Sequence, residues 1–145
     1  MNNLPVAARV THPFRASPER VFDAFLDPDM IGRFMFGPHL RDEQIVRLSS
    51  DPRVGGKFSF VVRRQGEEID HVGEYLELDR PRRLVFSWAV ADDGDNSRVL
   101  IDIEPEELGS EVTLIHEMQE KWADFVPRAR DAWSKMLNAL AEVLN

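Results

Sequence analysis

His116 and Glu74 are the two side chains in this chain best placed to do chemistry. Val112, Leu114, His116 and Met118 alternate with Glu111, Thr113, Ile115 and Glu117. A period of two marks a strand with one buried face, and His116 falls on the apolar side. An imidazole there can hydrogen-bond the polar end of a ligand. It can also act as a general base, because its ordinary pKa is close to neutral. The competing reading is a core histidine satisfied by the protein itself. Glu74 shares parity with Leu76 and Leu78 and is expected to point inward with them. Burial in an apolar cavity would raise its pKa and suit it to acid or base work. The competing reading is an exposed acid on a twisted strand. A β-bulge would reverse the parity and bring the Tyr75 hydroxyl inward instead.

Other chemistries find no residues. His12, His39 and His71 show no metal-ligand spacing with acids or with one another. Gly55-Gly56 lacks the Lys-Ser/Thr ending of a phosphate loop, and no Gly-x-Ser-x-Gly elbow occurs. The chain has no cysteine, which excludes disulfides, thiolate catalysis and cysteine-based zinc sites. No cofactor and no metal are expected. A net charge of -8 argues against a nucleic-acid surface. No stretch reads as a signal peptide or reaches transmembrane length, so a cytoplasmic protein without membrane insertion is expected.

These residues need a scaffold. Residues 73–88, GEYLELDRPRRLVFSW, read as strand, turn and strand, with Leu84, Phe86, Trp88 and Val90 on one face. A strand lined with Phe and Trp over a polar reverse face must be covered by another layer. The cover is an amphipathic helix from about Asp124 to the end, with Trp133, Met136, Leu137, Leu140, Val143 and Leu144 at helical spacing. Pro127 is tolerated only near its start.

A first strand holds Val6, Ala8, Val10, His12 and Phe14 on one face. Ser17-Pro18-Glu19 and Asp27-Pro28-Asp29 each combine an N-cap, a proline at the first helical position and an acid at the positive end. They predict two short helices. Between residues 41 and 118 the sequence predicts only strands, with turns at 51–56, at Gln65-Gly66-Glu67 and at 92–96. The basic turn of Arg80, Arg82 and Arg83 is expected to be a surface face offset by nearby acids. The fold class is therefore α+β: a curved antiparallel sheet of about six or seven strands around a long C-terminal helix. Residues 1–145 form one domain, with two short helices after the first strand.

This order resembles the START-like, or SRPBCC, "helix-grip" superfamily. Within it, the chain is similar to the family named for the activator of heat-shock protein 90 ATPase. The residues that carry the resemblance are Ala16-Ser17-Pro18-Glu19-Arg20-Val21-Phe22, residues 51–58 (DPRVGGKF), residues 73–78 with 81–88, residues 112–117 (VTLIHE), and Ala132-Trp133 with Leu137 and Leu140. Two departures stand out. Phe34-Met35-Phe36 replaces an expected tryptophan, and Ala132-Trp133 replaces a frequent Gly-Trp. The resemblance implies a pocket for a hydrophobic or amphipathic molecule, lipid-like or aromatic.

The residues expected to line it are Phe34, Phe58, Phe60, Glu74, Phe86, Trp88, Ile101, Leu114, His116 and Met118, with Trp133, Met136, Leu137 and Leu140 from the helix. Two alternatives remain open at this stage. One is a chaperone-linked or regulatory interaction module, whose functional surface would lie around Arg80–Arg83. The other is a cyclase- or dehydratase-type enzyme using His116 and Glu74. Either a monomer or a homodimer is compatible with the sequence.

Overall fold

The computed structural model describes residues 4–91 and 95–145. Seven strands form one antiparallel sheet: β1 (Val6–Phe14), β2 (Gln44–Ser50), β3 (Lys57–Arg64), β4 (Glu67–Asp79), β5 (Arg83–Val90), β6 (Ser97–Glu106) and β7 (Gly109–Met118). Their order across the sheet is β1-β7-β6-β5-β4-β3-β2. Chain neighbours from β2 to β7 are thus sheet neighbours, as hairpins require. The first strand pairs with the last, Val6 opposite Met118 and Phe14 opposite Ser110.

Helices α1 (Pro18–Ala24) and α2 (Pro28–Phe34) carry the chain from one edge of the sheet to the other. Each starts as its sequence predicts. The Ser17 hydroxyl accepts from the Arg20 N–H at 3.3 Å, and the Asp27 carboxylate accepts from the Asp29 N–H at 3.0 Å. After β7, a 3₁₀ turn (Glu120–Phe125) leads into α3 (Val126–Leu144). The α-helix proper thus starts two residues later than its sequence suggests, with Pro127 in its first turn.

The buried stripe of α3 is Ala129, Trp133, Met136, Leu137, Leu140 and Ala141. Val143, expected in that stripe, is 38% exposed because its position falls at the margin of the apolar arc. The same core holds Leu84, Val99, Ile101, Ile103, Val112 and Leu114, all essentially inaccessible. Burying an aliphatic side chain this completely contributes about 1.5–3 kcal/mol each. The sheet and α3 therefore hold one another.

Two irregularities control what faces inward. The Gln65-Gly66 turn has φ of 50° and 81°, the left-handed pair that closes a tight hairpin. It pairs Arg64 with Glu67, Phe60 with His71 and Phe58 with Gly73. Further along β4, a bulge lies between Tyr75 and Glu77. It corrects the expected parity. Tyr75 is buried at 2% exposure while Leu76 is 44% exposed, and the face resumes at Leu78 opposite Leu84. Glu74 therefore lies on the outer face, opposite Lys57 of β3. The residue between the hairpin and the bulge, Gly73, has no room for a side chain. A Cβ there would overlap the Ser87 carbonyl oxygen and the Phe58 ring.

Candidate functional site

The predicted lining residues divide into four groups. Phe34, Ile101, Leu114, Leu137 and Leu140 are fully buried in the packed core. Phe58, Phe60 and Phe86, with Tyr75 and Trp88, enclose a gap of only about 10 Å³. Phe58 stacks on Phe60 at 4.7 Å and meets Phe86 edge-on at 5.7 Å, so the aromatic rings fill the deep part of the grip themselves. Glu74 is on the wrong face. The remaining residues, Trp88, His116, Met118, Trp133 and Met136, line two hollows at the open end, where α3 begins.

The hollows have volumes of about 290 Å³ and about 230 Å³ and share His71, Trp88, His116 and Phe125 as walls. The larger is completed by Ser97, Met118 and Trp122, with Asp95 and Asn96 from the β5–β6 connection. That connection includes residues 92–94, so part of the expected 92–96 loop lies outside the described residues. The smaller is completed by Phe36, Trp133 and Met136, with Arg41 and Arg64 at its rim. Trp122 (36% exposed) and Phe125 (38%) meet edge-on at 5.8 Å over this end.

His116 sits in the wall with both ring nitrogens engaged. The Trp133 indole N–H donates to Nδ1 at 3.1 Å. An indole can only donate, so Nδ1 accepts and the proton is on Nε2. Nε2–H then donates to the Ser97 hydroxyl at 2.8 Å, and that hydroxyl donates to the Trp88 carbonyl at 2.6 Å. The chain Trp133, His116, Ser97, Trp88 ties α3 to β7, β6 and β5 in one direction. Burial lowers the His116 pKa to about 4, so the ring is neutral near pH 7. A proton on Nδ1 would also have to displace the indole.

His71, which parity counted from Leu78 puts outside, is 7% exposed and belongs to both hollows. Its Nδ1–H donates to the Phe60 carbonyl at 3.1 Å, which leaves Nε2 without a partner among the described residues. Burial is the main cause that lowers its pKa. The Phe60 carbonyl and the Glu43 carboxylate oppose it, and the positive charges of Arg64 and Arg41 add to it. At neutral pH the Nε2 lone pair is therefore an acceptor at the site. The Phe36 ring lies 4.8 Å from His71, and Trp88 lies 5.5 Å from it.

Behind the rim, Glu43 has a fully buried side chain. It accepts from Arg64 Nε at 2.7 Å, Arg41 Nη1 at 3.0 Å and the Gly37 N–H at 2.9 Å. His71, Arg41 and Arg64 were not singled out from the sequence. Register counted from the Gln65-Gly66 turn would have found His71 opposite Phe60.

The arrangement suits binding an apolar body with a polar end better than acid–base catalysis. Glu74 and His116 are on opposite faces of the sheet, so the expected pair cannot converge on one substrate. Nor is the basic turn a free surface. Arg80 pairs with Asp23 at 2.8 Å, Arg82 with Asp79 at 2.8 Å, and Arg83 with Asp102 at 2.7 Å. No helix of the described residues is long and apolar enough to cross a membrane.

Among curated proteins, none matches this chain. Solved structures do. A protein from Chromobacterium violaceum superposes with a TM-score of 0.84 at 23% identity, over 97% of this chain and 98% of that one. A protein from Rhodobacter sphaeroides gives 0.84 at 20% identity, over 96% and 91%. The solution structure of the Aha1 dimer from Colwellia psychrerythraea gives 0.73 at 19% identity, over 96% of each chain. These likenesses establish the helix-grip fold. Residues 15–145 match the model of one family, and the chain accordingly belongs to the activator of Hsp90 ATPase homolog 1-like proteins.

Proposed function

We propose that this protein binds a small apolar or amphipathic molecule at the open end of its helix grip, in the cytoplasm, without catalysing a reaction on it. The observation that carries this reading is the contrast between the two ends of the interior. The deep end is packed to a gap of about 10 Å³, while the open end keeps two adjoining hollows walled by Trp88, Trp133, Phe36 and Met118. Their volumes lie just below the range typical of small-molecule sites, and few polar groups line them. Trp122 and Phe125 are aromatic, exposed and poised at the mouth, where desolvation by a ligand is gained at little cost to folding.

The test is titration of the full chain with a neutral apolar fluorophore, N-phenyl-naphthylamine, with tryptophan fluorescence as a second readout. Saturable one-to-one binding is expected. Phe125→Ala should weaken it about tenfold, equivalent to about 1.4 kcal/mol. Absence of saturable binding up to millimolar probe would refute the reading.

A second reading, an interaction module acting on a chaperone or on another copy of the chain, has one specific support besides the family. The edge strand β2 leaves Ile45 (37%) and Val46 (43%) exposed beside unpaired backbone groups. Sedimentation of the pure protein and a chaperone ATPase assay distinguish it. A monomer that leaves the ATPase unchanged would remove this reading.

A further inference from the structure

We propose that the ligand is an organic anion, an aromatic carboxylic acid whose carboxylate seats between Arg41 and Arg64. The inference rests on the reading of the open end as a small-molecule site and goes on to name the chemistry of the ligand. Glu43 supplies one negative charge for two guanidinium groups, so the rim of the smaller hollow keeps a surplus positive charge. The carboxylate holds Arg64 by Nε and Arg41 by one terminal nitrogen, Nη1. Arg41 Nη1 also donates to the Met35 carbonyl at 2.9 Å. Both Nη groups of Arg64 and the Nη2 group of Arg41 have no protein partner among the described residues. Each guanidinium carries five donors in a fixed fork, so with part of each held by Glu43 the remaining donors of these half-buried side chains stay open to a ligand. Such forks match a carboxylate in paired, charge-assisted hydrogen bonds.

The walls choose the rest of the molecule. Phe36 and Trp88 lie nearly parallel, at 15° and 6.4 Å, and Trp133 closes on Trp88 at 5.6 Å. Flat ring faces and a hollow of about 230 Å³ suit a fused aromatic ring better than a long acyl chain. Among the described residues, no acidic side chain lines this hollow. Asp95, in the adjoining one, is paired with Lys121 at 2.6 Å. The described rim of this hollow is thus cationic on a chain whose net charge is -8.

The experiment is calorimetric titration of the full chain with naphthoate, with the neutral isostere naphthamide, and with decanoate. Naphthoate should bind at least about tenfold more tightly than naphthamide. Arg64→Gln should reduce the acid-to-amide affinity ratio at least severalfold, while Arg64→Lys should restore part of it. Equal affinity of acid and amide for the unmodified protein would overturn the anion inference and leave the apolar site standing. Tighter binding of decanoate would overturn the aromatic class and point to a lipid-derived acid. If none of the three binds, the site itself fails and the inference falls with it. The comparison on the unmodified chain decides even if a variant folds poorly.

Discussion

Acid should destabilise this protein through His116, by an amount the structure sets. In the unfolded chain the imidazole titrates near 6.5, and in the fold burial lowers it to about 4. Above pH 6.5 both states are neutral at this position and pH has no leverage on it. Between 6.5 and about 4 the unfolded state binds the proton and the native state does not. Stability therefore falls as pH falls through that window, and the loss is complete near pH 4. At about 1.4 kcal/mol per pH unit, the gap comes to about 3 kcal/mol. Burial is the cause, and the bond from Trp133 to Nδ1 acts in the same direction, because protonation would set two donors against each other.

The assay is urea unfolding of the wild type and of His116→Gln at several pH values from 7 to 4. Glutamine can still accept from the indole and donate to Ser97, but it cannot titrate. The difference between the two proteins removes the contribution of the carboxylates. It should shrink by about 3 kcal/mol on acidification, with the wild type losing more. Parallel pH curves would refute the reasoning, since they would mean that His116 takes up its proton equally in both states.

Gly73→Ala should destabilise by about 1–3 kcal/mol or more, read as a lowered thermal midpoint, because its Cβ would overlap both the Phe58 ring and the Ser87 carbonyl. Leu137→Ala should cost about 2–5 kcal/mol in chemical denaturation while leaving the affinity for N-phenyl-naphthylamine unchanged, since Leu137 is core and lines neither hollow. Glu43→Gln should cost about 2–4 kcal/mol in the same assay, at the low side of the range for a broken buried pair, because both arginines reach water. Trp122→Ala should shift stability by no more than about 0.5 kcal/mol, because the ring is exposed, but should weaken probe binding in the fluorescence titration.

Local patterns carried most of the fold. Ser17-Pro18 and Asp27-Pro28 start helices through hydrogen bonds that span two or three residues, so the starts are legible without tertiary knowledge. The alternation in β1, β5, β6 and β7, and the stripe of Trp133, Leu137 and Leu140, follow from strand and helix periods. The sheet and its covering helix could be inferred because an apolar face must be buried by something, and the chain holds one long helix.

The site was less legible, because it depends on register and filling. One extra residue at the β4 bulge exchanged Glu74 for Tyr75 and left His71 inward, since a strand inverts every side chain when its count shifts by one. Which aromatics fill the grip and which leave space depends on ring packing in three dimensions. Phe58 lies against Gly73 because their strands pair there. The partners of His116 come from β6 and α3, and the Arg41–Glu43–Arg64 cluster joins a loop to the end of β3. By itself the sequence determined the elements, the apolar faces and the need for a cover. Only the tertiary structure decided which polar groups reach the open end and where room remains, because these depend on contacts between segments far apart in the chain.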